Sequence, residues 1–226
     1  MHMADALISP AVGGVMWATT AGTIAYCSNK VRKEIDDKKI PLMGVLGAFI
    51  FAAQMINFPV AGGTSGHLMG GVLAAVLLGP WAGTLVMACV IAVQGLVFSD
   101  GGLLVMGANI FNMGIVGTLG GFAIYRALCS LLGGEDRGRI PASAIAGWLS
   151  VVIAAAFIAG ELAVSGTSPA EFVFPAMLTV HAAIGVGEAI ITAATLAFIG
   201  KVRPDLFNLR GDRAARPSGS ASPVPA

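Results

Sequence analysis

Two histidines carry the first chemical suggestion. His2 follows directly on Met1, so a free amino terminus there offers three nitrogens in sequence: the α-amine of Met1, the backbone nitrogen of His2 and its imidazole Nδ1. Together they close a five-membered and then a six-membered chelate ring around one metal ion. Three corners of a square are then filled. Met1 is expected to persist, because methionine before a bulky histidine is a poor substrate for removal of the initiator residue. An imidazole from His67 would supply the fourth corner, and planar all-nitrogen coordination favours Ni(II) or Cu(II), with Co(II) also compatible. The plainer alternative is a solvated terminal histidine beside an unrelated loop histidine, and position alone leaves both open.

Other polar residues stand in apolar surroundings. His181 and Glu188 are seven apart and share one face of a helix, with Glu188 the deeper. Buried ionisable residues of this kind are costly and often functional; these two read as a hydrogen-bonded pair fastening helices, as support for a neighbouring site, or as direct metal ligands. Asn109 and Asn112 can orient the amino-terminal segment or the His67 ring, or can join helices. Asp5, Gln94 and Asp100 are lesser candidates. The methionines are scattered and read as packing, as do Cys27, Cys89 and Cys129, which show no metal spacing. No phosphate-binding G-x-x-x-x-G-K-[ST] loop, H-E-x-x-H helix or G-x-S-x-G elbow occurs, so the chain does not read as an enzyme.

The element that must position His67 is the stretch Asn57 to Gly70. Pro59 lacks a backbone N–H and glycines 62, 63 and 66 tolerate positive φ, so helical geometry should end here. Thr64 and Ser65 add hydroxyls that can satisfy freed backbone groups. Irregular backbone at membrane depth survives only where protein or a watery cavity surrounds it, which marks the loop as a site.

The membrane setting comes from composition. Of the 226 residues, 56% are hydrophobic and 11% charged, and mean hydropathy is +0.85; the bilayer is the expected solvent and nucleic acid an unsupported partner. At about 20 residues per crossing, spans are predicted at 11–28, 40–58, 82–98, 103–126, 141–163 and 175–199. Leu68 to Gly79 is either a short helix of its own or half of a helix kinked at Pro80. Basic residues collect in cytoplasmic loops, and they favour the first choice. With seven helices and an outer amino terminus, all 13 Lys and Arg fall inside; with a kink, the eight after Gly79 move outside. Asp5, Asp100, Glu161 and Glu171 then mark the outer face, together with His67. The leader Met-His-Met-Ala-Asp lacks a basic residue, so no cleaved signal is expected. The expected architecture is all-α and polytopic, with residues 1–206 one transmembrane metal-binding domain and 207–226 a disordered cytoplasmic tail.

Several motifs in order carry a resemblance: Met1-His2; Asn57-Phe-Pro-Val-Ala-Gly-Gly-Thr-Ser-Gly-His67-Leu; Ser99-Asp-Gly-Gly-Leu-Leu; Gly107-Ala-Asn-Ile-Phe-Asn-Met-Gly114; and His181-Ala-Ala-Ile-Gly-Val-Gly-Glu188. Over roughly residues 1–200 the chain resembles the CbiM/NikM family, the substrate-binding S components of cobalt and nickel energy-coupling-factor (ECF) transporters. The resemblance implies Ni(II) or Co(II) as substrate, held by the Met1 amine, the backbone nitrogen and imidazole of His2, and His67, with no organic cofactor. It implies as partners a transmembrane T subunit, cytoplasmic ATPase subunits and a small accessory membrane subunit, in the inner (cytoplasmic) membrane. Ala48 and Ala52 offer a docking face for the T subunit. The rival reading is a stand-alone metal channel or proton-coupled carrier using His181 and Glu188 as a relay.

Overall fold

The computed structural model describes residues 1–34, 39–60 and 64–208. After a short turn at Asp5–Leu7 come α1 (Pro10–Glu34) and α2 (Lys39–Gln54). A small antiparallel ribbon follows, β1 (Phe58–Val60) and β2 (Thr64–Gly66), pairing Phe58 with Gly66 and Val60 with Thr64. Then come α3 (Gly71–Leu78), α4 (Pro80–Val97), α5 (Met106–Leu131), α6 (Glu135–Val164) and α7 (Ala170–Val202), with a closing turn, α8 (Asp205–Asn208). Among the described residues, α4, α5, α6 and α7 are long and apolar enough to cross a membrane. Large apolar side chains such as Phe49, Leu96, Phe157, Phe172 and Phe198 are exposed on the outside of the bundle, as lipid-facing positions require.

All eight residues of α3 are buried. A helix apolar on every side needs neighbours on every side, and α3 has them. A Cβ on Gly71 would lie 2.7 Å from the carbonyl carbon of Gly117 on α5, so the two backbones touch. Gly79 takes φ +87° and reverses the chain. A Cβ on Gly83 would then sit 3.0 Å from the Ala75 backbone nitrogen, whereas in one continuous helix those positions would stand about 12 Å apart. Residues 79 and 80 therefore form a turn between two helices.

The approach to α3 is unusual. Thr64 Oγ1 meets the Met177 sulfur at 3.4 Å, and the Met69 N–H meets Glu188 at 2.7 Å. Met177 and Glu188 are separated by about 16 Å along α7, which the five steps from Thr64 to Met69 cover only if the chain runs nearly straight. This stretch dives along α7 into the bundle, and α3 continues inward.

The helices differ from expectation at their ends. The 40–58 segment stops at Gln54 and gives way to the ribbon. The spans expected to open at Pro141 and Pro175 begin at Glu135 and Ala170, with each proline in the second helical turn, where it removes a single backbone bond. α5 runs from 106 to 131 rather than 103 to 126, and its middle, Ile110–Gly120, takes the wider π turn. The turn Asp205–Asn208 crosses the boundary drawn at 206/207, and Arg139 lies 4.1 Å over the ring of Phe207. The rest of the expected tail, 209–226, lies outside the described residues, as do Lys38 and the glycines at 62 and 63.

Candidate metal centre

The amino terminus is part of the core. Met1 and Met3 have no exposed surface and His2 only 4%. The Met1 amine donates to the carbonyl oxygen of Ser65 and to its hydroxyl at 3.1 Å, and the His2 N–H donates to the same hydroxyl at 3.2 Å. Ser65 N–H returns a bond to the His2 carbonyl. Further along, the Met3 N–H donates to Asn109 Oδ1 at 2.9 Å, while Asn109 Nδ2 and Gly102 N–H both donate to the Met3 carbonyl. Asp5 Oδ1 accepts from the N–H groups of Leu104 and Val105, ahead of α5. Residues 1–5 are thereby fixed to two segments distant in sequence.

The imidazoles meet inside this frame. His67 Nδ1 donates to the Leu68 carbonyl at 2.6 Å, which leaves its Nε2 as the lone-pair nitrogen. That Nε2 lies 3.1 Å from His2 Nδ1, with ring centroids 4.8 Å apart and planes inclined by 29°. Two nitrogens bound at about 2 Å on adjacent corners of a square lie about 2.8 Å apart. Little movement separates this pair from that spacing. Asp100 stands beside them, its Oδ1 3.5 Å from His2 Nδ1 and its Oδ2 accepting from Asn57 at 3.1 Å. An opening of about 440 Å³ lined by His2, Asp5, Asn57, Ser65 and Asp100 leads to the site.

Burial disfavours the cationic forms of the amine and the His2 imidazole. It lowers the Met1 amine from 8.0 to about 4, against the pull of the Asp100 carboxylate. It lowers His2 from 6.5 to about 3, with the neighbouring amine adding to the effect. Burial raises the Asp100 carboxyl, partly offset by the amino terminus and Asn57. Among the described residues no group of three or more His, Cys, Asp or Glu side chains is arranged to hold a metal ion by side chains alone. The donors that do converge are an amine, a main-chain nitrogen and two imidazoles, a set suited to a planar nitrogen-binding ion.

The remaining candidates divide. Glu188 accepts from the N–H groups of Met69 and Gly70, at 2.7 and 2.8 Å, and Gln54 Nε2 donates to the Met69 carbonyl. Both hold the stretch that carries His67. The expected His181–Glu188 pair does not form, because both Glu188 oxygens serve this loop and His181 Nδ1 donates to Met177 at 2.8 Å. Thr64 is buried against the Met177 sulfur and lines the same opening as His2. Asn109 orients the terminus, but Asn112 Nδ2 donates to both oxygens of Glu161 and joins α5 to α6. Glu161, expected on the outer surface, is only 6% exposed. Gln94 lies next to His2 and its carbonyl accepts from Asp100 N–H. Gly101, at φ +100°, was passed over in sequence: a Cβ there would lie 3.2 Å from the His2 ring and 2.9 Å from the Asn109 amide. Its quoted motif, Ser99-Asp-Gly-Gly, was the available signal.

The chain is similar to known metal transport proteins. The family model CbiM, described as the cobalt uptake substrate-specific transmembrane region, matches residues 2–206. A putative fused nickel transport protein NikMN of Archaeoglobus fulgidus is 39% identical over 209 residues, covering 92% of this chain and 68% of that protein. A putative metal transport protein of Haloquadratum walsbyi is 39% identical over 210 residues, covering 91% of this chain and 93% of the other. A crystal structure of a transition metal transporter matches with a TM-score of 0.84 and 32% identity, over 97% of this chain and all of that one.

Proposed function

The chain belongs to the CbiM/NikM family, and from that premise we propose that it captures Ni(II) or Co(II) with high affinity as the substrate-specific membrane component of an ATP-driven ECF transporter. The ion is the cargo. Its ligands are the Met1 amine, the His2 backbone nitrogen, His2 Nδ1 and His67 Nε2. One observation carries the reading: the two imidazole nitrogens face each other at 3.1 Å beside a fully buried amino terminus. Binding requires the His2 amide to give its proton to water and the His2 ring to carry its proton on Nε2 rather than Nδ1, a change of tautomer with no net proton loss; the Met1 amine and His67 Nε2 already present lone pairs at neutral pH.

The same proposal extends to topology and partners. Residues 1–206 act as one transmembrane domain of seven spans, with the amino terminus outside and the 207–226 tail cytoplasmic. The seventh span is the third in order, made of the inward run to Gly70 and the eight residues of α3; about 16 Å and about 12 Å together approach the bilayer core of about 30 Å. The membrane is the inner (cytoplasmic) one. A transmembrane T subunit, cytoplasmic ATPase subunits and a small accessory membrane subunit supply energy and docking. The carrier alternative, with a His181–Glu188 relay, has weaker support because Glu188 is engaged by the Met69 and Gly70 amides.

Elemental analysis of untagged protein after equilibration with Ni(II) tests the site. One ion per chain is expected. His67→Ala, or one extra residue before Met1, should weaken binding by about 100-fold or more, since each removes a ligand outright. Equal metal retention by all three proteins would sink the assignment.

A further inference from the structure

Three histidines occur in the chain, and the proposed site uses two. The third, His181, is fully buried on the inner face of α7. Its Nδ1 donates to the Met177 carbonyl at 2.8 Å, and its Nε2 has no partner. A neutral imidazole that donates from Nδ1 carries its lone pair on Nε2. His67 is set the same way by the Leu68 carbonyl, with its Nε2 directed at His2. Carbonyl partners of this kind fix the ring and tautomer of metal-binding histidines, and a buried acceptor with no donor is rare.

Position adds to this. The inward run passes from Met177, beside Thr64, to Glu188, beside Met69 and Gly70. His181 lies one turn inward of Met177, so it stands alongside the run, level with the stretch that bears His67. It lies within electrostatic reach of His67 and of the Met1 amine. No hydrogen-bonding atom approaches its Nε2 closely enough to bond. It therefore adjoins the four-nitrogen set without belonging to it.

We propose that His181 Nε2 is a transfer ligand, which binds the ion as it leaves the terminal chelate on its way inward. The proposal rests on the four-nitrogen reading above. A planar ion exchanges ligands by accepting an entering donor before a bound one departs. Here the His181 lone pair forms the new bond and the bond to the Met1 amine breaks; the bond to the His2 amide nitrogen then breaks as that nitrogen takes back a proton from water, and the hydroxide so formed fills the vacated corner of the ion. The ion keeps its oxidation state throughout. No other imidazole remains in the chain to take this step.

The test uses the full untagged chain loaded with Ni(II). Affinity is measured by chelator competition, and loss of the ion is followed after mixing with excess chelator, for wild type, His181→Gln and His181→Asn. Both variants should keep affinity within about threefold of wild type while losing the ion at least about tenfold more slowly. A residue needed only for packing would shift affinity and rate together. Wild-type exchange rates in the variants, affinity that falls in step with the rate, or loss of the folded protein in both variants would each overturn the proposal. Wild-type protein that retains no Ni(II) would instead overturn the site assignment beneath it.

Discussion

At the scale of single residues, the unusual feature is an amine with no water around it. In an exposed terminus, Ni(II) would compete with a proton on the amine up to pH 8.0 and with one on His2 near pH 6.5. Here burial has pushed those groups to about 4 and about 3, and His67 offers Nε2 as a lone-pair nitrogen because its Nδ1 proton is held by the Leu68 carbonyl. Between pH 6 and 8 the sole proton left to displace is that of the His2 amide. Affinity should therefore fall on acidification with a slope of about one proton per ion. Calorimetric or competition titrations at stepped pH measure this directly. A slope of two or more would mean that the terminus is solvated before the ion arrives.

At the scale of elements, the site depends on backbone that no regular helix supplies. Gly101 is the sharpest case, because positive φ and contact with both His2 and Asn109 coincide there. Gly101→Val should reduce Ni(II) retention by at least about tenfold, as loss of a ligand's supporting contacts does. Gly133→Ala provides the control. It shares positive φ but meets only the end of the Arg137 side chain at 3.7 Å, so it should cost about 1 kcal/mol of stability and leave metal binding intact. Elemental analysis beside thermal unfolding separates the two; equal metal loss in both variants would remove Gly101 from the site. Much of this level was legible in the chain. Pro59 and its glycines foretold the break before His67, and Gly79-Pro80 foretold the turn. The ribbon was not foreseen, since three-residue strands carry too little alternation to register. Glu161 was misjudged because proximity to a helix end suggests exposure, while its burial depends on Asn112 some fifty positions earlier. Gln54 gave no local sign of reaching Met69, and the spacing of apolar residues in α5 gave no sign of its π turn.

At the scale of the whole molecule, polarity from end to end organises the fold. The amino terminus, the end of α4, the start of α5 and the turn between α6 and α7 gather at one pole, where Thr167 bonds to the Leu7 carbonyl. Arg126, Glu135, Arg139 and Phe207 meet at the other. The proposed orientation puts the first pole outside. In a background without the three native cysteines, Glu171→Cys should react with an impermeant maleimide applied to intact cells, and Arg137→Cys only after the cells are opened; both positions are exposed. The opposite pattern would invert the assignment and leave the metal site facing the cytoplasm.

Anchoring Met3 to Asn109 and Gly102 also sets an order of assembly. The segment Met1–Met3 leaves the ribosome before its berth at Gly102 and Asn109 does, about a hundred residues earlier in the chain. Until then the nascent amine stays in water, open to any enzyme that caps or trims it. On the proposed ligand set, a formyl or acetyl group on Met1 would occupy the amine lone pair and abolish tight Ni(II) binding.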